Sequence, residues 1–188
     1  MAGRRRDPAL DAAILASATD LLHERGWGGF TVEEVAVRVG IPKSTVYKRW
    51  SSRVHLTSAI LDEWLGGMIA QVAVIPSAPT DDRLRLLIDC QTAFTSGPEG
   101  RAVTEVLVSD VDEPAVAGLH KRAGEYRDAC HRVVASIAAD LGSSANVDVN
   151  LVADMLLGAI WLRSLRGYAD AAGTGSSLHT TVQRLLRA

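Results

Sequence analysis

Apolar side chains recur at i, i+3, i+4 and i+7 almost from one end of this chain to the other. That helical period is the strongest constraint on what the chain can fold into. Leu10, Ile14, Leu15, Ala18, Leu21 and Leu22 form one stripe, and Leu56, Ile60, Trp64 and Met68 form another. A third runs through Val116, Leu119, Ala123, Tyr126, Cys130, Val133, Ile137 and Leu141. No segment shows the two-residue alternation of a half-buried strand. The stripes stop at Gly26-Trp27-Gly28-Gly29, Gly40, Pro76 and Pro79, Ser96-Gly97-Pro98, Asp112-Glu113-Pro114, Gly142-Ser143-Ser144 and Gly173-Thr174-Gly175. Such residues end helices. The sequence therefore predicts an all-α fold of about nine helices, near 8–25, 32–39, 43–49, 53–74, 82–95, 99–109, 114–141, 148–168 and 176–187. With 47% hydrophobic residues in 188, the chain can bury a core, and a disordered chain is excluded.

Residues 31–50 read TVEEVAVRVGIPKSTVYKRW. Thr31 with Glu34 three residues on is a capping box, which satisfies two amides at a helix start. Val35, Ala36 and Val39 face inward, and the small Ala36 lets a second helix cross close by. Gly40 tolerates the backbone of a tight turn, and Ile41 plugs the angle between the two helices. Val46 and Trp50 anchor the second helix, leaving Lys43, Ser44, Thr45, Tyr47, Lys48 and Arg49 for its ends and outer face. Short polar, basic and aromatic side chains of this kind suit base edges and phosphates in a major groove.

A helix-turn-helix corner also occurs as mere packing, so the flanking cations matter. Arg4, Arg5 and Arg6 form an arm ahead of the first helix, placed to enter a minor groove or follow the backbone. Arg53 falls in the first turn of the fourth helix, which is unfavourable for the helix dipole unless a phosphate docks there. The net charge of -2 hides a split. Residues 1–60 carry nine Lys/Arg against six Asp/Glu, and the remainder eleven against sixteen, a +3 head on a -5 body.

Over about residues 10–62 the chain resembles the DNA-binding region of the TetR family of transcriptional regulators. The likeness lies in the first-helix pattern, the Gly26 loop, the Thr31 cap, the Gly40 turn and the Tyr47/Trp50/Arg53/Leu56 spacing. Beyond residue 62 it is architectural, in length and helix count. It implies a helix-turn-helix DNA-binding domain over 1–52 and a helical ligand-binding and dimerisation domain over 53–188. It also implies a regulator, usually a repressor, that binds a palindromic operator as a homodimer and is released by a small molecule. By the same likeness Thr31 would touch phosphate besides capping, Lys43, Ser44 and Thr45 would approach base edges, and Tyr47, Lys48 and Arg53 would clamp the backbone. The bare residues leave Thr31 as a cap alone, Tyr47 as packing and Arg49 as a solvated cation open; Trp50 reads as core. Two positions depart from the family: Pro42 replaces the usual Ser or Thr, and Arg53 stands where Lys is common. Pro suits a first helical turn, and Arg binds phosphate as well.

The eighth helix is apolar on nearly every side, from Val149 and Leu151 to Leu162 and Leu165. Such a helix must be covered all round, and one following helix covers only part. A second copy is the simplest remainder, with Val152, Leu156, Ile160, Arg163, Thr181 and Leu185 as the expected interface; a fully internal core helix is the alternative. Trp64, Met68, Gln91, Phe94, Tyr126, Met155 and Trp161 are the candidates to line a pocket for a small apolar ligand; ordinary core is the alternative for each.

Enzyme signatures are missing. There is no His-Glu-x-x-His, no Gly-x-Ser-x-Gly and no P-loop, and the Gly173-Thr174-Gly175 string follows a helix and lacks its last glycine. Five scattered histidines suggest no metal site, and no cofactor is expected. A helical interaction module without DNA binding is the competing reading. Cys90 and Cys130, forty residues apart, read as two buried thiols rather than a redox pair. Asp7, Asp11 and Asp20 interrupt any export signal. The longest apolar run, 155–162, is short against the ~20 residues a membrane span takes. A cytoplasmic protein is expected.

Overall fold

A computed structural model describes residues 7–109, 114–144, 146–165 and 174–187. The expected arm, Arg4 to Arg6, and the predicted end of the eighth helix at Tyr168 lie outside the described residues. The helices are α1 (Pro8–Arg25), α2 (Val32–Val39), α3 (Lys43–Tyr47), α4 (Arg53–Ala73), α5 (Thr80–Ser96), α6 (Pro98–Leu107), α7 (Pro114–Leu141), α8 (Val149–Leu165) and α9 (Thr174–Leu186). A 3-10 turn, Ile75–Ser77, follows α4, and no strand occurs among the described residues.

The chain divides into two compact units, Met1–Trp64 with Arg101–Lys121, and Leu65–Gly100 with Arg122–Ala188. This differs from a single cut between residues 52 and 53. Helices α4 and α7 are each unbroken, and the division runs through both of them.

In the first unit α1 packs on α2, and α2 on α3. Asp7 caps α1 by accepting a 3.1 Å hydrogen bond from the Ala9 amide. Gly26 ends that helix at φ 75°, a left-handed conformation that glycine adopts without steric cost. Ile14, Ala18, Leu21, Phe30, Val35, Ala36, Val46, Leu56 and Leu61 form the buried core. Each large member contributes about 1.5–3 kcal/mol of burial. Ser52 opens α4 by accepting a 2.9 Å hydrogen bond from the His55 amide.

The segment Arg53–Ser77 is long and apolar enough to cross a membrane by length and composition, although its longest unbroken apolar run is short. Part of its apolar surface is buried within the protein, where Leu56, Leu61, Leu65 and Val72 are completely covered.

In the second unit α5 packs against α8 and α9, and α8 against α9. The start of α5 is tied to the end of α7. Arg83 donates to the Ala78 carbonyl (2.8 Å) and to Asp140 (2.8 Å), and the Thr80 hydroxyl donates to Asp140 (2.6 Å). These contacts hold the Asp140 carboxyl below its ordinary pKa, the Thr80 hydrogen bond first. The corner between α5 and α6 is closed by Gly100, whose missing Cβ would stand 1.6 Å from the Phe94 carbonyl oxygen.

Candidate functional site

The corner between α2 and α3 is built from local rules. The Thr31 hydroxyl accepts from the Glu34 amide (3.2 Å), and Glu34 Oε2 accepts from the Thr31 amide (2.9 Å). The hydroxyl also donates to Glu34 Oε2 (3.1 Å), so its proton is spent on the cap. After α2, Gly40 takes φ 75° and ψ 34°, and its amide donates to the Val37 carbonyl (3.2 Å). The Ile41 amide donates to the Ala36 carbonyl (3.0 Å), completing a Schellman motif. Pro42 precedes α3 in an extended conformation and supplies no side-chain cap.

Helix α3 is five residues long, shorter than the expected 43–49. Its last turn tightens where the Arg49 amide donates to the Val46 carbonyl at 2.8 Å. Val46 is completely buried and Trp50 nearly so, the two inward anchors expected from the sequence. Lys43, Ser44 and Lys48 stand exposed, Tyr47 is 41% exposed, and Thr45 is half-buried.

Among the described residues of this head, four of six cations are held by acids. Arg25 pairs with Glu34, and Arg38 grips Glu24 through both guanidinium nitrogens (2.9 and 2.6 Å). Lys43 pairs with Glu33 at 3.1 Å. Arg49 pairs with Asp11 of α1 and donates to the Thr45 carbonyl (3.2 Å), so it is no solvated cation: only 14% of its side chain is exposed. These partners lower the pKa of Glu24, Glu33 and Glu34, each chiefly through the hydrogen bond from its cation. Lys48 has no acidic partner among the described residues. Arg53 donates to the Trp27 carbonyl and lies 4.8 Å above the Trp27 ring centroid. Its charge is thus stacked on an aromatic face, and it fastens the α1–α2 loop to α4.

In the second unit Gln91, Phe94 and Tyr126 come together. The Tyr126 hydroxyl donates to Gln91 Oε1 at 2.8 Å, and the Phe94 and Tyr126 rings stack at 4.6 Å with 13° between planes. Met68 is buried in the same unit, whereas Trp64 belongs to the first and is half-buried. Burial pushes the Cys130 thiol up to about 12 and raises Cys90 and Tyr126 as well, so this core is uncharged at neutral pH.

Two groups of residues fall on the opposite side of α8 from the one expected. Met155 and Trp161, expected in a pocket, are exposed, 56% and 37%. Val152, Leu156 and Ile160, expected at an interface, are buried within the protomer's own core. The face α8 leaves open is instead Leu151, Met155 and Leu162, spaced i, i+4 and i+11. On α9, Thr181 and Leu185 are exposed, and Arg163 on α8 is half-buried. A cleft of about 400 Å³ between α5 and α9, lined by Arg85, Ile88, Asp89, Ser176 and His179, was not foreseen.

The profile of bacterial regulatory proteins, tetR family, matches residues 14–60. The uncharacterized HTH-type transcriptional regulator Rv1556 of Mycobacterium tuberculosis is 33% identical over 175 residues, 88% of this chain and 83% of its own. The chain belongs to the TetR family. Transcriptional regulation through a helix-turn-helix is its activity. Solved TetR-like structures share the fold at low identity. Transcriptional regulator FadR of Bacillus subtilis, in complex with stearoyl-CoA, has a TM-score of 0.68 at 17% identity, covering 94% of this chain and 97% of that one. AibR, in complex with isovaleryl coenzyme A and operator DNA, has a TM-score of 0.65 at 21% identity, covering 95% and 98%.

Two features of this TetR-family head escaped the sequence. The Asp11–Arg49 pair joins residues 38 apart, and nothing local announces it. Arg53 looked like a free phosphate ligand because a sequence does not show that Trp27 folds under it. A Trp in the glycine loop and an Arg at a helix start were the available hints.

Proposed function

We propose that this TetR-family regulator binds a two-fold symmetric operator as a homodimer, with residues 1–52 on the DNA and residues 53–188 providing dimerisation and ligand response. The observation that carries the reading is the outward set on and beside α3: Lys43, Ser44, Tyr47 and Lys48 are exposed while Val46 and Trp50 turn inward. Thr45 adds a half-buried hydroxyl, and Arg4 to Arg6 would enter a minor groove or follow the backbone. One recognition helix reads too few base pairs for specificity, so two half-sites ~34–36 Å apart are expected. The open apolar stripe Leu151, Met155 and Leu162, with Thr181 and Leu185 of α9, supports a second copy as its cover.

A small ligand with an apolar chain would bind in the second unit, where Gln91 and Tyr126 are a hydrogen-bonded polar pair among apolar neighbours. The acyl-CoA complexes of FadR and AibR support a ligand of that kind. A ligand that prefers one dimer geometry would shift the two recognition helices off the operator spacing and relieve repression.

Selection of bound duplexes from a random pool tests the DNA reading. The expected product is a palindrome with half-sites about one helical turn apart. Lys48→Ala weakens binding to every duplex and flattens the slope of log affinity against log salt by ~0.9 per lost phosphate contact. A purified dimer without salt-sensitive DNA binding would mark the chain as a helical interaction module.

A further inference from the structure

We infer that Glu33 sets the DNA selectivity of this regulator, holding Lys43 for base edges and withdrawing it from phosphates; this rests on the reading of α2 and α3 as the DNA-binding surface.

The charge pattern of the head leads there. Residues 1–60 carry nine Lys/Arg and six Asp/Glu. Four of those cations, Arg25, Arg38, Lys43 and Arg49, are matched one to one by Glu34, Glu24, Glu33 and Asp11. What remains is Lys48, Arg53 and the three arginines ahead of α1, set against Asp7 and Asp20. Among the described residues Lys48 and Arg53 are the head cations without a carboxylate partner, and Arg53 is already stacked on Trp27, so of these two the grip on phosphate falls to Lys48.

Lys43 differs from the other three matched cations. It opens the recognition helix, its side chain is 64% exposed and that of Glu33 is 48% exposed, so DNA docked on α3 meets the pair itself. An ammonium carries three hydrogens. One can stay on Glu33 while another reaches a neutral acceptor such as guanine O6 or N7, the groups that lysine reads in the major groove. A phosphate is a different acceptor. Reaching it brings the Glu33 carboxylate against a second anion, and the pair, already neutral, displaces no counterion. Glu33 thus tolerates base reading by Lys43 and opposes phosphate binding by it. The hydrogen bond from Lys43 also keeps Glu33 ionised below the usual glutamate range.

The test measures binding of the full-length dimer to a fixed non-operator duplex between 50 and 200 mM salt. Beside it runs the selected operator, with wild type, Glu33→Gln, Glu33→Gln/Lys43→Gln and Lys48→Ala. Freeing Lys43 adds one phosphate contact per head, so Glu33→Gln steepens the salt slope by ~0.9 per recognition helix. The affinity loss across that salt range grows ~3.5-fold for one head and ~12-fold for two, and the preference for operator over non-operator falls. In the double variant the slope returns to the wild-type value. Melting curves show that each variant is folded. An unchanged slope in Glu33→Gln overturns the inference, as does a steepening that persists without Lys43, since that is a general loss of negative charge. A wild-type protein with no salt-dependent binding sinks the underlying reading of the head instead. Lys48→Ala separates the two cases, because it flattens the slope whenever the head binds DNA.

Discussion

Met155→Glu is the sharpest perturbation of the proposed dimer. Met155 lies in the middle of the open α8 stripe and is 56% exposed, with Leu151 at 56% and Leu162 at 52% beside it. Full burial of such a side chain is worth about 1.5–3 kcal/mol, so covering the free half contributes ~1 kcal/mol. A two-fold interface counts every position twice, which makes ~2 kcal/mol per dimer for Met155. At 1.4 kcal/mol per factor of ten, its loss weakens the dimer at least ~30-fold. Dehydrating two glutamates adds to that. Sedimentation velocity over a concentration series measures the effect, and far-UV circular dichroism with a melting curve shows that the monomer stays folded. Val37→Glu is the control: Val37 is 80% exposed on α2, in the first unit, and its substitution is expected to leave the dimer constant alone. A Met155→Glu protein that dimerises as tightly as wild type, or a Val37→Glu protein weakened as much, refutes the assignment of α8 as the interface.

Three further outcomes are expected. Gly100→Ala forces a Cβ to within 1.6 Å of the Phe94 carbonyl, so the α5–α6 corner must open, at a cost of ~3 kcal/mol or more in denaturant unfolding; an unchanged midpoint contradicts the geometry. Tyr126→Phe keeps the stack on Phe94 but leaves the buried Gln91 carbonyl without its donor, destabilising by ~1–3 kcal/mol in the same assay. Mass spectrometry after brief alkylation near pH 8 finds Cys130 unmodified in the folded protein, because burial holds its thiol at about 12, far above the pH of the reaction; rapid labelling there contradicts the burial.

What was legible in the sequence was whatever local chemistry decides. The Thr31–Glu34 box, the glycine at position 40 and the inward pair Val46 and Trp50 follow from spacing alone, and the structure has them as read. Helix α8 shows where spacing fails. Its residues are apolar in every direction, so the pattern carries no phase, and packing within the second unit decides that Val152 turns in and Leu151 out. Gly100 is another such case. It lies inside a predicted helix, where a glycine reads as a minor cost, and only the returning Phe94 carbonyl makes it obligatory. The pairing of Arg49 with Asp11, and the seating of Arg53 on Trp27, are equally tertiary.

The brevity of α3 has a consequence for how such a regulator acquires new targets. Five residues are too few to hold a helix by their own propensity, so this one exists because Val46, Trp50 and the Gly40 turn impose it. On the proposed reading of α3 as the DNA-reading segment, stability and recognition thereby fall to different positions of the same short stretch. Lys43, Ser44, Tyr47 and Lys48 can be exchanged together, by drift or by a randomised library, without touching the residues that make the segment helical. A chain built this way can change the DNA word it reads while keeping the fold that reads it.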